Sequence, residues 1–289
     1  MLLSLSLALP VGQAQAQEGT MEKIKATGEI VLGYRETAIP FSYLDNKQKP
    51  VGFSLDLCSE IVTALKREPG MADLKVSYQP VTASNRIPLL GNGSVDIECG
   101  STTNTKERQK VVDFLYTTYV TGTKIIARVD SGFKGLEDLK GKKIAVTVGT
   151  NNIKAVQAAS EKNALNFELV YGKDHAENFL QLRNKRVDGF STDDILLSSL
   201  RADSDDPKGY DFVGPFLSTE PYALMVRKDD TAFKGFANQV LAELFKNGQF
   251  ETIYDRWFLK PIPPRGVTLD VGMSPELAEL MKSPNDSGV

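Results

Sequence analysis

The chain predicts an α/β fold with mainly parallel sheets arranged as two lobes, and three observations carry that expectation. Short apolar runs of strand type alternate with amphipathic helical runs along most of the length, and parallel neighbours need such helical crossovers. A strand–helix–strand–helix–strand unit occurs over 29–99 and again, loosely, over 143–191. A length of 289 residues suits two domains better than one, each large enough to bury a core. β-Rich stretches near 118–124 and 217–223 separate the halves and read as paired hinge crossovers. Residues 20–120 and 221–289 then form a discontinuous first lobe, and 121–220 the second.

The leader comes first. Met1–Leu9 is apolar, Pro10 breaks it, and Ala14-Gln15-Ala16 has the form of a cleavage site, so residues 1–16 read as a secretory signal. A helix over Met21–Thr27 precedes the strand Glu29–Tyr34, and Asp45-Asn46 makes the turn of a hairpin-like excursion. Gly52 opens a helix over 54–67, which Pro69-Gly70 ends. The strand Leu74–Gln79 leads to a short helix capped by Ser84 and closed by Gly91-Asn92-Gly93. The strand 94–98 runs into Gly100-Ser101-Thr102-Thr103, and a helix is expected to open before Arg108.

In the second half, Lys143–Val148 is a buried strand, Gly149-Thr150 a turn and 151–163 a helix. Phe167–Tyr171 is the next strand, and Asp174 caps a helix over 175–185. Val187–Ser191 is a strand, followed by a helix from Asp193 to Arg201 and a strand at Asp211–Val213. Tyr222–Arg227 alternates again. The amphipathic helices 231–247 and 249–257 return to the first lobe, and a short helix over 275–282 closes the chain.

Composition narrows the function. The net charge is −3, which gives no sign of a nucleic-acid or anionic-membrane partner. No internal run approaches the roughly eighteen apolar residues of a spanning helix. Two cysteines and one histidine are too few for a structural zinc site, and no cofactor or metal is expected. Cys58 shares a helical stripe with Leu55, Ile61, Val62 and Leu65, and Cys99 has the strand parity of Val95 and Ile97. An oxidising compartment permits a disulfide between them, and two buried thiols are the alternative.

Ligands of open α/β sheets bind beyond the carboxyl ends of the strands. Arg35 follows the first strand there. Arg86 lies in the first turn of a helix, where a cation opposes the helix dipole and has little structural reason to be. Ser101 and Thr103 follow the strand 94–98, and Arg108 stands where its guanidinium can fold back over those hydroxyls to grip a carboxylate. Thr150, His175 and Asp193 follow the corresponding strands of the second half. Singly, Thr150 and Asp193 read best as helix caps, and His175 as a capping or surface group. Together, three guanidiniums, hydroxyls, one imidazole and one carboxylate converge on one cleft. Two anionic groups and one cation on a small molecule match that set, as in an acidic amino acid.

The motifs Gly-Ser-Thr-Thr-Asn-Thr-x-Glu-Arg, Val-Gly-Thr, Arg-Val-Asp-Gly-Phe-x-x-Asp-Asp and Gly-Gln-Phe-x-x-Ile-Tyr-x-x-Trp-Phe resemble the extracytoplasmic solute-binding proteins for polar amino acids. Tyr34-Arg35-Glu36, Asn85-Arg86-Ile87-Pro88-Leu89-Leu90, Lys173-Asp174-His175 and Lys260-Pro261-Ile262-Pro263-Pro264 are similar to the glutamate/aspartate-binding subgroup. The resemblance implies the two-lobed type II periplasmic-binding fold, a periplasmic monomer, and delivery to the permease of an ABC importer. It also implies roles. Arg108, Ser101, Thr103 and Thr150 would hold the α-carboxylate and Asp193 the α-ammonium, while Arg35, Arg86 and His175 meet the side-chain carboxylate. Beside that carboxylate His175 would favour its protonated form. One departure is Ala83, where the subgroup often carries a hydroxyl. A dehydratase or lyase on the same fold would use Glu98, His175 or Asp193 as acid or base, yet no nucleophile–base pair stands out. A sensory module would need a tether or fused signalling domain, and none is visible.

Overall fold

A computed structural model describes residues 19–289, so the expected signal segment lies outside the described residues. Two five-stranded sheets are built to one plan. The first has the order Lys75–Pro80, Glu29–Tyr34, Ile97–Glu98, Met225–Arg227, Val112–Phe114. The second has the order Glu168–Gly172, Lys143–Thr147, Gly189–Asp193, Thr123–Arg128, Tyr210–Val213. In each, the first three strands are mutually parallel and the fourth runs against its neighbours. That reversed strand is the one that has just crossed between the lobes.

The crossovers themselves, Tyr119–Thr121 and Glu220–Tyr222, pair antiparallel. They lie against an aromatic cluster. Phe41 meets Tyr119 and Tyr222 edge-on at 5.0 and 5.1 Å, and Phe258 stacks on Tyr119 at 5.0 Å. The helix Gln249–Phe258 thereby ties its Phe-x-x-Ile-Tyr-x-x-Trp-Phe stripe to the hinge strands. Its Trp257 indole N–H also donates to Asp56 at 2.8 Å, on the helix Phe53–Leu65. Burying aromatic rings on both sides of the crossover gives the hinge a rigid footing in the first lobe.

Cys58 and Cys99 form a disulfide, which pins that helix to the loop after Ile97–Glu98. Of the two readings left open by the sequence, the bond is the one the structure adopts. Closing a loop of 41 residues stabilises the fold by about 2–4 kcal/mol in the chain-entropy account.

Most expected elements recur within a few residues of their boundaries. The exception is the segment from Ser101 to Arg108, which opens no α-helix. It stays extended along the hinge strand, with a Thr103–Tyr222 bridge, Asn104 N–H donating to Pro221 and Ala223 N–H to Thr102. Only a 3₁₀ turn, Arg108–Lys110, follows. The competing partner is the C-terminal segment: Lys106 N–H donates to Val289 and Val289 N–H to Asn104. Ladder bonds on two sides outbid the local helix.

Candidate functional site

All eight residues singled out from the sequence lie at the carboxyl ends of the parallel strands or in the loops that follow them, with those ends facing across the interlobe cleft. Arg35 continues Glu29–Tyr34 and is 2 % exposed. Its backbone N–H donates to Ser42, while no hydrogen bond to its guanidinium is found among the described residues. Burial and neighbouring Arg86 push the Arg35 guanidinium down to about 10. A buried cation with another cation beside it is a site awaiting an anion.

Arg86, the first residue of its helix, is equally buried. It donates to the Thr102 hydroxyl and approaches the Glu98 carboxylate at 3.9 Å, and Thr102 in turn donates to Glu98 at 2.7 Å. Sequence reasoning named Glu98 only as an acid or base of the enzyme alternative and did not mark Thr102. The structure makes both the holders of Arg86. Gly100 is what allows this packing, because a β-carbon there would stand 2.1 Å from Glu98 Oε1 and 3.1 Å from Arg35 Cγ. At this end of the cleft two buried guanidiniums share Glu98 as their main carboxylate, with weaker contributions from Asp174 to Arg35 and from Asp193 to Arg86. Arg86 Nε and Ser101 Oγ are buried without a hydrogen-bond partner among the described residues.

Arg108 spans the cleft. One guanidinium nitrogen donates to the Thr103 carbonyl at 2.8 Å, on the first lobe, and the other to the Gly149 carbonyl at 3.1 Å, on the second. Burial and Arg86 push it down to about 9. Gly149, at φ +82°, sits where a β-carbon would be 2.6 Å from the backbone of Ala83 and Ser84. That approach gives the Ala83 position a physical setting: there the opposite lobe's glycine turn lies against the backbone. The lobes are therefore in contact. Thr150 uses its hydroxyl on the Thr147 carbonyl at 2.7 Å.

Asp193 ends the strand Gly189–Asp193 and precedes a helix, yet its side chain caps nothing. Its carboxylate instead accepts from the Tyr222 hydroxyl of the hinge and from Asn152 at 2.6 Å. The cap reading of Asp193 is thus overturned. Burial and the nearby Glu220 carboxylate raise Asp193 to about 7. Glu220 accepts from Asn151 at 3.1 Å and from Ser218. Two buried carboxylates in one region are a receptor for a cation. Tyr222, Asn152 and Glu220 were missed because their partners are distant in sequence, and for Tyr222 lie across the lobe boundary, a juxtaposition no local pattern signals.

His175 opens the helix His175–Arg183, which Asp174 caps by accepting from Glu177 N–H at 2.8 Å. Its Nδ1 lies 2.9 Å from the Thr147 hydroxyl. Burial first, then Arg35 and Arg86, hold the imidazole well below its usual value. The protein's own surroundings of His175 thus favour the neutral ring, against the protonated form expected beside a carboxylate. Among the described residues no cluster of three or more His, Cys, Asp or Glu could hold a metal ion.

A two-lobed α/β fold with an anion- and cation-receptive cleft at its strand ends defines a class of binding proteins for small zwitterions. The chain belongs to the bacterial extracellular solute-binding proteins, family 3, which it matches over residues 30–260. It is 41 % identical over 286 residues to the L-glutamate/L-aspartate-binding protein of Pseudomonas aeruginosa, covering 99 % of this chain and 94 % of that one. With the glutamate/aspartate import solute-binding protein of Escherichia coli K12 it shares 40 % identity over 291 residues, covering 99 % and 96 %. Among solved structures, a mutant of ArgBP from T. maritima superposes with a TM-score of 0.72 at 29 % identity, covering 82 % of this chain and 98 % of that one. An ancestral arginine-binding protein bound to arginine gives 0.69 at 31 %, covering 80 % and 98 %. These establish the type II periplasmic-binding fold.

Proposed function

We propose that this chain binds glutamate or aspartate outside the cytoplasm and delivers it to an ABC-type importer, and that it is a binding protein and not an enzyme. The observation that carries the reading is the pair Arg35 and Arg86, two buried guanidiniums for which Glu98 is the main offsetting carboxylate, with Asp174 and Asp193 contributing less. A neutral side chain would bring those guanidiniums no further anion. The near-full-length relatives are named for the same two amino acids, and two of them for import. In this reading Arg108, Ser101, Thr103 and Thr150 receive the α-carboxylate and Asp193 the α-ammonium. Arg35, Arg86 and His175 receive the distal carboxylate. The protein works as a periplasmic monomer with a membrane permease as its partner. Titration calorimetry against the twenty amino acids is expected to rank glutamate and aspartate first. Tighter binding of glutamine than of both would overturn the assignment.

We place the lobe boundaries at the crossovers, with 20–120 and 221–289 on one side and 121–220 on the other. Ligand contacts drawn from both sides favour the closed arrangement by their differential free energy. Small-angle scattering is expected to show compaction on adding glutamate, and an unchanged radius at saturation would count against hinge closure.

Asp193 sets a pH dependence. Its folded-state value of about 7 lies above the ordinary 3.8, so the ligand-free protein binds a proton more tightly than the unfolded chain between those values. This group's stability contribution is therefore full below about pH 4 and lost as pH rises through about 7. The ligand's ammonium needs the ionised carboxylate, so affinity changes the opposite way, falling as pH drops below about 7. Thermal unfolding and calorimetry between pH 5 and 8 should show these opposed trends. An affinity that rises on acidification would remove Asp193 as the ammonium site.

A further inference from the structure

The side chain behind His175 carries information that the ligand contacts alone do not. Thr147, His175 and Asn178 are each at most 1 % exposed. The Thr147 hydroxyl has two neighbours: the Asn178 amide N–H, which donates to it at 2.8 Å, and His175 Nδ1 at 2.9 Å. A hydroxyl holds one proton and two lone pairs. With one lone pair taken by Asn178, the proton has a single acceptor within reach among the described residues, His175 Nδ1. Were Nδ1 protonated, Thr147 would receive two donors, and its own proton would be buried with nothing to meet, at a cost comparable to a lost hydrogen bond. Further back, Asn178 Oδ1 accepts from Gln181 at 3.4 Å, which matches an Asn178 amide whose N–H₂ is turned to Thr147. No protein hydrogen bond to His175 Nε2 is found among the described residues.

We propose that Asn178 and Thr147 are positioning residues that fix His175 as the Nε2–H tautomer, so that a neutral imidazole donates its Nε2–H into the cleft toward the distal carboxylate of the ligand. This rests on the acidic-amino-acid reading for its purpose, although not for its geometry. Both act through the ring. The arrangement supplies a directional donor without adding a third full charge beside Arg35 and Arg86, where another cation would be repelled. It also makes the order Asn178 to Thr147 to His175 one-way: reversing any donor would turn Nε2 into an acceptor facing a carboxylate.

His175 is the only histidine in the chain, so imidazole ¹⁵N spectra of the uniformly labelled protein need no assignment. In the ligand-free protein near pH 7, Nδ1 is expected to resonate as an unprotonated ring nitrogen and Nε2 as a protonated one. Thr147→Val should blur that pattern into a mixture and lower glutamate affinity about tenfold, the factor lost with one hydrogen bond to a charged group. Glutamine affinity should change far less. Thr147→Ser keeps the hydroxyl and should restore both the spectrum and the affinity, which separates the relay from a packing defect. A wild-type spectrum showing Nδ1–H, or both nitrogens protonated, would overturn the proposal, as would Thr147→Val leaving the spectrum unchanged. If the Nε2–H tautomer is found but glutamate does not bind, the relay stands and the ligand assignment falls.

Discussion

Replacing Arg108 by Ala is expected to weaken every amino-acid ligand by about 2–5 kcal/mol, the usual loss when one partner of a buried charge pair is removed. The expectation follows from where the two ends of the guanidinium go. One nitrogen is held by the Thr103 carbonyl and the other by the Gly149 carbonyl, at 2.8 and 3.1 Å. In the proposed arrangement Arg108 is both the cation offered to the α-carboxylate and a hydrogen-bonded strut between the lobes. Removing it takes away the charge and a contact that favours the closed arrangement, and both losses fall on glutamate, aspartate and glutamine alike. Its burial beside Arg86 means that the unliganded protein should not suffer; relief of like-charge repulsion should leave its thermal midpoint level or slightly raised. Calorimetry on the variant checks the first part and a melting curve the second. Near-normal affinity would show that the α-carboxylate is held elsewhere.

The fold was legible because strand–helix periodicity is a local property. Glu29–Tyr34 and Pro275–Lys282 could be read almost to the residue from alternation and from the turn or cap beside them. The positions of Arg35, Thr150, His175 and Asp193 were legible for a related reason: each follows directly on a strand whose direction the crossover fixes. What sequence could not supply was anything decided by two distant segments meeting. The extended run at Thr103 depends on hinge strand Glu220–Tyr222 and on the 104–106 pairing with residue 289. A helix opening there was the sensible local expectation and tertiary pairing overrode it. Asp193 looked like a cap because caps are local, and proved to be held by Tyr222 from the other side of the hinge. The disulfide needed Cα atoms 6.3 Å apart across a separation of 41 residues, which only the folded sheet could show.

Arg35→Gln is expected to separate acidic from neutral ligands most sharply. Arg86 is the less informative target, because it also holds Thr102 and Glu98; removing it would leave Glu98 buried without its cation and disturb the fold. Arg35 has no such obligation, since no protein hydrogen bond engages its guanidinium among the described residues. Its charge is held buried against the repulsion of Arg86, and in the proposed arrangement a distal carboxylate offsets that cost. Gln at this position fills similar space without the charge, so the ligand-free protein should be at least as stable as the parent. Glutamate and aspartate should weaken by about 2–5 kcal/mol, roughly thirtyfold or more. Glutamine should weaken much less, because an amide gains little from a guanidinium and the strain of two adjacent cations is gone. The quantity to follow is the ratio of the glutamate and glutamine dissociation constants in parent and variant, since misfolding would move both together. Equal losses for the two ligands would place the distal carboxylate away from Arg35 and leave the paired guanidiniums without the partner assigned to them.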